Sequence, residues 1–415
     1  MRKLSLRIAA VAAALALAAP AAATNGMRMI GYGPIQNSMG GASAAAALDA
    51  STIVSNPAGL SALDQRLDVS GTAFMPTVKY NATGAASGNT LESNRPTDYI
   101  PTLGAVTRVG DRLTVGIAAL GMAGMGVEYA TDLYGSSTKT SYLNMRFAPA
   151  VAYRLSDQVS LGLAANLSYA QMQYAVMGNM MMPPRDTAGS FGYGATLGLR
   201  WTTNEKVTLA AVYETKSRFQ DFEWNIPAHD QVVGFDGSGN PIVMHFPGGK
   251  EKLSFDQPDV ATVGAAFRPV DPLLVAFDLE WIRWSQSNGK GMPEFTSDLS
   301  QTGGMAWDMS WSDQLVFKLG AQYDVTKAFQ VRAGYNYGQS PLQADRAFEN
   351  IAFPAIAKHH ITVGAGYAFG AVAVNASAMY SPEATLGGSN RSQYIGSYET
   401  KMSQLAFDLG ATWKF

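Results

Sequence analysis

Side chains suited to catalysis are scarce in this sequence and poorly spaced for it. The histidines are His229, His245, His359 and His360. Adjacent residues of a strand face opposite sides of a sheet, so His359 and His360 cannot chelate one metal together. No glycine-rich loop joins a strand to a helix as a phosphate site requires, and no spacing assigns a Ser/His/Asp set. We therefore predict no enzyme, no cofactor and no metal site, with an outer-membrane hydrolase as the enzymatic alternative.

Basic side chains recur one or two residues before short turns. These residues are Arg108, Arg154, Arg200 and Arg268. If the strands close into a barrel, the four side chains point inward and form a basic arc near the periplasmic mouth. The arc would hold acidic groups of the N-terminal region or pass a carboxylate. The alternative is a structural network with lumen carboxylates at Asp68, Asp324 and Asp408.

Two further basic residues, Lys318 and Arg332, point inward from neighbouring predicted strands and could meet the carboxylate of a fatty acid. Burying a dozen methylenes is worth on the order of 10 kcal/mol before association costs. A partly solvated ion pair adds only about 0–1 kcal/mol. A neutral hydrocarbon could therefore bind without the charge, and both ligand classes stay open.

The N-terminus has the features of a secretory signal peptide. Arg2, Lys3 and Arg7 are basic, residues 8–19 are twelve consecutive apolar residues, and three alanines at 21–23 supply the cleavage site. We expect residues 1–23 to be removed. No later run reaches eighteen apolar residues, which disfavours a helical membrane protein. A net charge of −2 argues against nucleic acid as a partner.

From Arg66 onward, alternating runs of about ten residues are joined by six short turns and by longer polar loops. This pattern predicts an all-β protein, a 14-stranded antiparallel transmembrane β-barrel over residues 65–415. The strands are expected near 66–80, 98–109, 112–121, 141–155, 158–174, 190–202, 205–217, 258–268, 273–285, 313–325, 328–338, 359–369, 371–380 and 402–415.

One face of each predicted strand is aliphatic or aromatic, and the other is polar or very small. After Val159, for example, Leu161 and Leu163 alternate with Gly162 and Ala164. A soluble sandwich would carry many Lys and Glu on its polar face, so the pattern favours a lipid-facing band with aromatic girdles. We predict the outer membrane of a Gram-negative bacterium, with outer-membrane lipid and lipopolysaccharide as neighbours.

Many inward positions of the predicted wall are glycine, so the wall cannot fill its own lumen. Fourteen strands lie between the roughly eight that side chains can fill and the 16–18 that leave an aqueous channel. The remaining segment, residues 24–64, is rich in Gly and Ala and precedes the first strand. We predict that it is a hatch inside the barrel.

Two motifs in this segment, residues 38–42 (SMGGA) and 55–60 (SNPAGL), resemble the FadL/TodX family of outer-membrane transporters for long-chain fatty acids and other hydrophobic compounds. Residues 152–155, 281–285 and 332–337 support the resemblance. It implies a monomer, a hatch that blocks the lumen, and release of the ligand sideways through a gap in the wall. It also implies that Phe415 is the signal read by the barrel-assembly machinery. The position that holds a lumen arginine in fatty-acid members aligns here with Gln171.

Five residues are predicted to act in the hatch: Gly40, Gly41, Asn56, Pro57 and Ala58. Proline fixes φ and an Asn side chain caps nearby backbone, so Asn56-Pro57-Ala58 would set one turn. Gly40 and Gly41 would let the chain approach the wall closely. The alternative is that the motif merely marks a loop or a helix start.

The predicted outer loops are unusually apolar, and exposed apolar patches often mark binding sites. By family analogy the first two, near 121–134 and 218–257, would form a capture groove; packing between loops is the alternative. The candidates for ligand binding are Phe74, Met122, Met125, Leu133, Phe219, Phe222, Trp224, Lys318 and Arg332. The predicted function is passive uptake of a hydrophobic molecule by loop capture, lumen binding, hatch rearrangement and lateral exit. The alternatives are an open diffusion porin for polar solutes and a non-transport surface protein such as an adhesin.

Overall fold

A computed structural model describes residues 25–84, 90–95, 97–130, 138–175, 185–297, 305–306, 308–390 and 395–415. The predicted signal peptide, residues 1–23, and the candidate Leu133 lie outside these ranges.

Fourteen strands form the wall of the molecule. In chain order, β1 to β14 are Arg66–Gly84, Asp98–Val109, Leu113–Tyr129, Thr138–Arg154, Val159–Ala175, Arg185–Asn204, Val207–Glu214, Val260–Val270, Leu273–Ile282, Gln314–Asp324, Phe329–Gly338, His359–Phe369, Val372–Asn390 and Ile395–Lys414.

Each wall strand pairs antiparallel with its neighbours in sequence, and β1 pairs with both β2 and β14, which closes the sheet into a barrel. The register of closure begins at Arg66 opposite Lys414. The predicted 14-stranded antiparallel barrel is confirmed. At the loop end, several strands run past their predicted bounds because backbone pairing continues beyond the apolar alternation. Strand β3 reaches Tyr129, so Met122 and Met125 lie in a strand and the loop predicted from residue 121 was wrong.

The outer face of the barrel is apolar, as predicted. Along β5, exposure alternates residue by residue, with Leu161 45% and Leu163 47% exposed while Gly162 and Ala164 are buried. Aromatic side chains stand exposed near the short turns, among them Trp201 and Trp413. Such girdles mark the membrane interfaces of outer-membrane barrels, whose short turns face the periplasm. Within the described ranges, no helix has the length and apolar character needed to cross a bilayer.

Residues 25–64, here called the N-terminal segment, are almost entirely buried. The segment contains helix α1 (Gly33–Ser38), helix α2 (Thr52–Ser55) and a 3₁₀ turn (Pro57–Ala62). It packs against inward-facing glycines of the wall, where an added Cβ would meet its atoms. Ten described wall glycines have the segment this close: Gly104, Gly116, Gly162, Gly198, Gly264, Gly320, Gly334, Gly338, Gly364 and Gly410. Glycine at these positions leaves room for the segment inside the barrel.

The loop end of the barrel carries further structure. Two 3₁₀ turns (Trp284–Gln286 and Ala344–Arg346) and two short pairings (Leu91–Glu92 with β1, Arg218–Phe219 with β6) lie there. A four-stranded sheet consists of Phe222–Ile226, Gly249–Leu253, Glu294–Ser297 and Met305–Ala306, and a ribbon pairs His229–Phe235 with Pro241–Phe246. Buried aromatic residues, including Phe222, Trp284, Trp311 and Phe353, join these loops into one apolar cluster.

Candidate ligand-binding site

The wall has a gap between β2 and β3. Their pairing runs from Val109–Leu113 to Thr102–Leu120 and stops there. Beyond this point, among the described wall strands, residues 98–101 of β2 pair only with β1, and β3 pairs only with β4 across a bulge at Gly121–Ala123. The Asn94 amide donates to the Glu128 carbonyl at 2.7 Å and bounds the gap at the loop end. A stretch of β3 therefore has an unpaired edge inside the membrane wall.

The N-terminal segment covers the inner side of this gap. The Met29 amide donates to the Met122 carbonyl at 3.2 Å, and the Gly124 amide donates to the Met27 carbonyl at 3.1 Å. These bonds satisfy backbone groups of β3 that the wall leaves free, which matters because an unpaired polar group in the bilayer is costly.

A cavity of about 160 Å³ lies beside the gap. Its lining is mostly apolar and includes Met27, Met29, Ile30, Phe74, Ile100, Met125, Met379 and Met402. Tyr99, Leu143, Met145 and Tyr169, which face outward from the barrel, also line it. The cavity therefore extends from the lumen to the lipid-facing surface. Methionine-rich linings adapt to ligands of varied shape.

A few polar side chains reach this cavity. Asn37, Asn144, His360 and Gln404 line it, and all four are at most 4% exposed. Arg95 and Asp98 also line it but bind each other in a two-bonded pair at 2.8 and 3.0 Å. The cavity thus combines an apolar body with a small number of neutral polar groups.

A buried ionic cluster adjoins the cavity. Arg28 donates two hydrogen bonds to the Glu214 carboxylate at 2.8 and 3.2 Å, and Arg146 donates to the same carboxylate at 2.7 Å. Arg146 also donates to the Ser217 hydroxyl at 3.3 Å. The pairing offsets the free-energy cost of removing these charges from water. Arg28 links the N-terminal segment to the wall through this cluster.

A second, smaller cavity of about 30 Å³ lies on the other side of Arg28. Its lining is polar and contains Asp278, Glu280 and Lys318. The Lys318 ammonium donates to the Glu280 carboxylate at 2.9 Å. Lys318, which the sequence suggested as a partner for a fatty-acid carboxylate, is therefore already paired with Glu280 of the neighbouring strand β9.

Side chains of the wall hold the N-terminal segment along its length. The Asp278 carboxylate accepts from the Ser43 and Ala44 amides at 2.8 and 2.9 Å. The Asp408 carboxylate accepts from the Asn37 amide at 2.8 Å, and the Asp68 carboxylate accepts from the Ala50 amide at 2.7 Å. The segment is thus attached by carboxylates that accept from neutral donors.

The Asn56 side chain links a turn of the segment to β6. Its Oδ1 accepts from the Ala58 amide at 3.1 Å, while Nδ2 donates to the Ala44 carbonyl at 2.7 Å and the Leu199 carbonyl at 3.2 Å. Pro57 begins the 3₁₀ turn at which the chain bends. The Asn side chain caps this turn, as Asn commonly does.

Gly40 and Gly41 have φ angles of +63° and +79°. This left-handed conformation is one that glycine adopts readily. A Cβ on Gly40 would lie 2.6 Å from the Tyr335 amide nitrogen, so the backbone of the segment touches the backbone of β11 at this point.

Only some of the residues predicted to bind the ligand lie at the larger cavity. Phe74 and Met125 line the larger cavity, and Met122 is buried beside it with its carbonyl bound to Met29. Phe222 and Trp224 are buried in the apolar loop cluster, and Phe219 packs against that cluster; none of the three lines the cavity. Arg332 donates to Gln322 at 2.7 Å and Asn375 at 3.1 Å and lies away from both cavities.

The predicted basic arc is only partly assembled around the N-terminal segment. Arg108 donates to the Leu63 carbonyl at 3.2 Å and Arg154 to the Ser61 carbonyl at 2.9 Å. Arg200 instead donates to hydroxyls of its own and the adjacent strand, and Arg268 lies 3.5 Å from the Asp271 carbonyl. The two arginines that reach the segment bind its backbone.

Gln171 and Phe415 both lie at exposed positions of the wall. Gln171 is exposed on the outward side of β5 and lines only the outer part of the cavity, so its assignment as a lumen position was wrong. Phe415 follows β14 with its ring 62% exposed and its amide donating to the Gln65 carbonyl at 3.3 Å.

The sequence reasoning missed the residues of the ionic cluster and the Asp278 attachment. A usable signal existed, because Arg146, Glu214 and Asp278 are charged residues at inward positions of otherwise small or apolar strands. Their partners could not be assigned because pairing across a lumen depends on the order of strands around the barrel.

A profile of the family described as "Outer membrane protein transport protein (OMPP1/FadL/TodX)" matches residues 9–411. Outer membrane protein P1 of Haemophilus influenzae is 23% identical over 382 residues, covering 79% of this chain and 78% of that protein. A long-chain fatty acid transport protein of Escherichia coli is 24% identical over 362 residues, covering 77% and 78%.

Solved structures share the fold at low sequence identity. The toluene transporter TodX of P. putida superposes with a TM-score of 0.76 at 19% identity, covering 93% of this chain and 99% of that one. A FadL homologue of Pseudomonas aeruginosa gives a TM-score of 0.74 at 16% identity, covering 94% and 100%. The chain belongs to the OMPP1/FadL/TodX family and is an outer-membrane protein of the Gram-negative type.

Proposed function

We propose that this member of the FadL/TodX family mediates passive uptake of a hydrophobic molecule that binds in the 160 Å³ cavity and leaves sideways through the gap between β2 and β3. The observation that carries this proposal is the continuity of the two features. Residues from the lumen and from the lipid-facing surface line one and the same cavity.

A lateral route suits an apolar solute. A molecule that left through the periplasmic mouth would have to enter water and lose about 25 cal/mol for each Å² of apolar surface that it re-exposes. An opening in the side of the wall releases it into hydrocarbon instead. The glycines of β3 at the gap, Gly121, Gly124 and Gly126, add no side chains of their own to that opening, although the side chains of Ile100 and Arg95 lie against Gly121 and Gly126.

The N-terminal segment acts in this proposal as the hatch, with residues 24–64 as its bounds. It occupies the space beside the wall glycines and covers the inner side of the gap with Met27 to Met29. Uptake requires it to shift, and Asn56 and Gly40 are the residues proposed to fix its resting position. The apolar loops collect the ligand outside, and no energy source is needed because the solute moves down its gradient.

The test uses a strain that lacks the gene and is complemented with variants of the gap. Gly124→Phe adds a ring at the gap, at a position where the nearest neighbours of an added Cβ are 3.5 Å away, which is ordinary van der Waals contact; we expect the ring to obstruct the gap. Gly71→Phe is the matched control, since Gly71 is exposed on β1 with nothing within 4 Å of its added Cβ. We expect both variants to form the barrel, because an added Cβ meets no close contact at either position.

The measurement is uptake of labelled toluene and labelled oleate. We expect the deletion and Gly124→Phe to lose uptake of at least one compound and Gly71→Phe to restore it. Unchanged uptake of every hydrophobic compound in the deletion strain would refute the proposal. Steady ion conduction by the purified wild type in a planar bilayer would favour an open porin.

A further inference from the structure

We propose that the cavity selects a neutral single-ring compound with one hydrogen-bonding substituent, of the phenol or benzyl alcohol class, over both the plain hydrocarbon and the carboxylate. The inference rests on the proposed function, because it names the ligand class of the same cavity. Three observations support it: the volume, the unpartnered polar atoms and the pairing of the charges.

The volume fits one ring. A cavity of about 160 Å³ is close to the 150 Å³ of an engineered apolar cavity that binds benzene. A six-membered ring with one small substituent fills such a space, whereas a long acyl chain would extend beyond it into the gap. The apolar lining, with Phe74, Met125 and Met379 among its members, supplies the contacts that a ring needs.

Polar atoms buried in this lining lack hydrogen-bond partners. Both amide atoms of Asn144 and both ring nitrogens of His360 are in this state, although each residue is only 1% exposed. Tyr142 approaches Asn144 and Gln404 approaches His360 without reaching good hydrogen-bond geometry. Buried polar groups normally have partners, so each exception calls for an explanation. A ligand hydroxyl, which both donates and accepts, would supply the missing partner.

The charges near the cavity are already compensated. The Arg28 guanidinium donates two hydrogen bonds to the Glu214 carboxylate, and the Arg95 guanidinium donates two to the Asp98 carboxylate. Arg146 keeps two free nitrogens, but it does not line the cavity. Among the described residues that line the cavity, no arginine or lysine is left to balance a carboxylate, which would be costly to bury without a partner.

The charged groups beside the cavity also balance one another. Three basic groups, Arg28, Arg146 and Lys318, stand with three acidic groups, Glu214, Asp278 and Glu280. Their formal charges sum to zero, so the cluster gives an anion no net attraction. The site therefore favours a neutral polar group.

The experiment measures binding of toluene, p-cresol and 4-methylbenzoate, which differ only in one substituent. The purified barrel is held in lipid nanodiscs, and empty discs correct for partition into lipid. We expect p-cresol to bind more tightly than toluene by between about twofold and tenfold for each hydrogen bond that it makes, and 4-methylbenzoate to show no saturable binding.

Two variants test the assignment of residues. Asn144→Leu keeps the size of the side chain and should remove part of the preference for p-cresol without weakening toluene. His360→Phe is a second, independent variant with the same expectation. Asn225→Leu, at an exposed position of the loop sheet outside the cavity, is the control and should behave as wild type.

Equal affinity for toluene and p-cresol in the wild type, or saturable binding of 4-methylbenzoate at the affinity of p-cresol, would overturn the inference. Retention of the full preference in both variants would overturn it too. These results leave the proposed function intact if cells still take up oleate or toluene through the protein. Loss of the proposed function would instead show as unchanged uptake in the deletion strain.

Discussion

Replacing Asp278 by alanine should loosen the N-terminal segment inside the barrel. The Asp278 carboxylate is 2% exposed and accepts two backbone hydrogen bonds, from Ser43 at 2.8 Å and Ala44 at 2.9 Å. Hydrogen bonds to a charged group contribute about 1.5–3 kcal/mol each. Asp278→Ala therefore removes about 3–6 kcal/mol from the attachment of residues 43–44.

The lower end of this range is the better expectation, because the smaller cavity adjoins Asp278. Its volume of about 30 Å³ exceeds the roughly 10–15 Å³ that one water molecule needs. Water can therefore enter and bind the freed amides. A loss of about 3 kcal/mol corresponds to roughly a hundredfold rise in the detached population, at 1.4 kcal/mol for each factor of ten.

The assay is the current through single barrels in a planar bilayer, because local detachment of the segment opens a path for ions. We expect short openings whose total time rises about a hundredfold in Asp278→Ala. The attachments at Asp68 and Asp408 remain, which keeps the openings short. Asp278→Asn retains one acceptor oxygen and should lie between the wild type and the alanine variant.

The matched control is Asp236→Ala. Its carboxylate also accepts two backbone hydrogen bonds, from Ser238 and Asn240 at 2.8 Å, but in an exposed turn of the loop ribbon. This variant should conduct as little as wild type. Retarded migration on heating in a denaturing gel checks that each barrel is folded. A folded Asp278→Ala barrel with wild-type open time would refute the reasoning.

Three other changes have defined outcomes. Asn56→Ala removes a side chain that bridges the segment to β6, so uptake of labelled toluene or oleate should fall while the amount of assembled barrel stays constant; wild-type uptake would contradict its role. Burial, with a smaller contribution from Asp68, raises the pKa of Asp49 to about 7, and Asp49 belongs to the segment and not to a spanning strand. Asp49 thus keeps its proton to a higher pH in the folded state than in the unfolded state. The melting temperature should therefore fall as pH rises from about 4 to about 7, and Asp49→Asn should make that fall smaller. Deleting Phe415 should reduce the protein recovered from the outer membrane, and an unchanged yield would rule out its part in assembly.

The barrel could be predicted from sequence because its determinants are local. Alternation with a period of two and six short turns are properties of neighbouring residues, and they sufficed for all fourteen strands. The partners of Lys318 and Arg332 could not be predicted in the same way. Lys318 pairs with Glu280 of the adjacent strand β9, whereas Arg332 bonds Gln322 of the adjacent strand β10 and Asn375 of β13, two strands away. These choices depend on register and strand order, which a single sequence does not give.

The glycines of the wall were more informative than its charges for a physical reason. A charged side chain is long and can bind partners on several sides, so its type says little about what it contacts. An inward glycine has one consequence, namely that something approaches the wall closely at that place. Gly162 meets Ala58, and Gly334 meets Gly40, so the wall glycines trace the path of the segment.

Glycines also mark the gap between β2 and β3. Gly121, Gly124 and Gly126 are interspersed with larger residues in β3, in a stretch for which the sequence predicted an apolar outer loop. In a strand, glycine weakens pairing and marks a bulge or a close approach. Both occur here: β3 bulges at Gly121, and the Gly124 amide donates to the Met27 carbonyl where β2 no longer pairs with β3. The stretch that interrupts the wall is therefore the stretch that receives the N-terminal segment, so a change in one must alter the other.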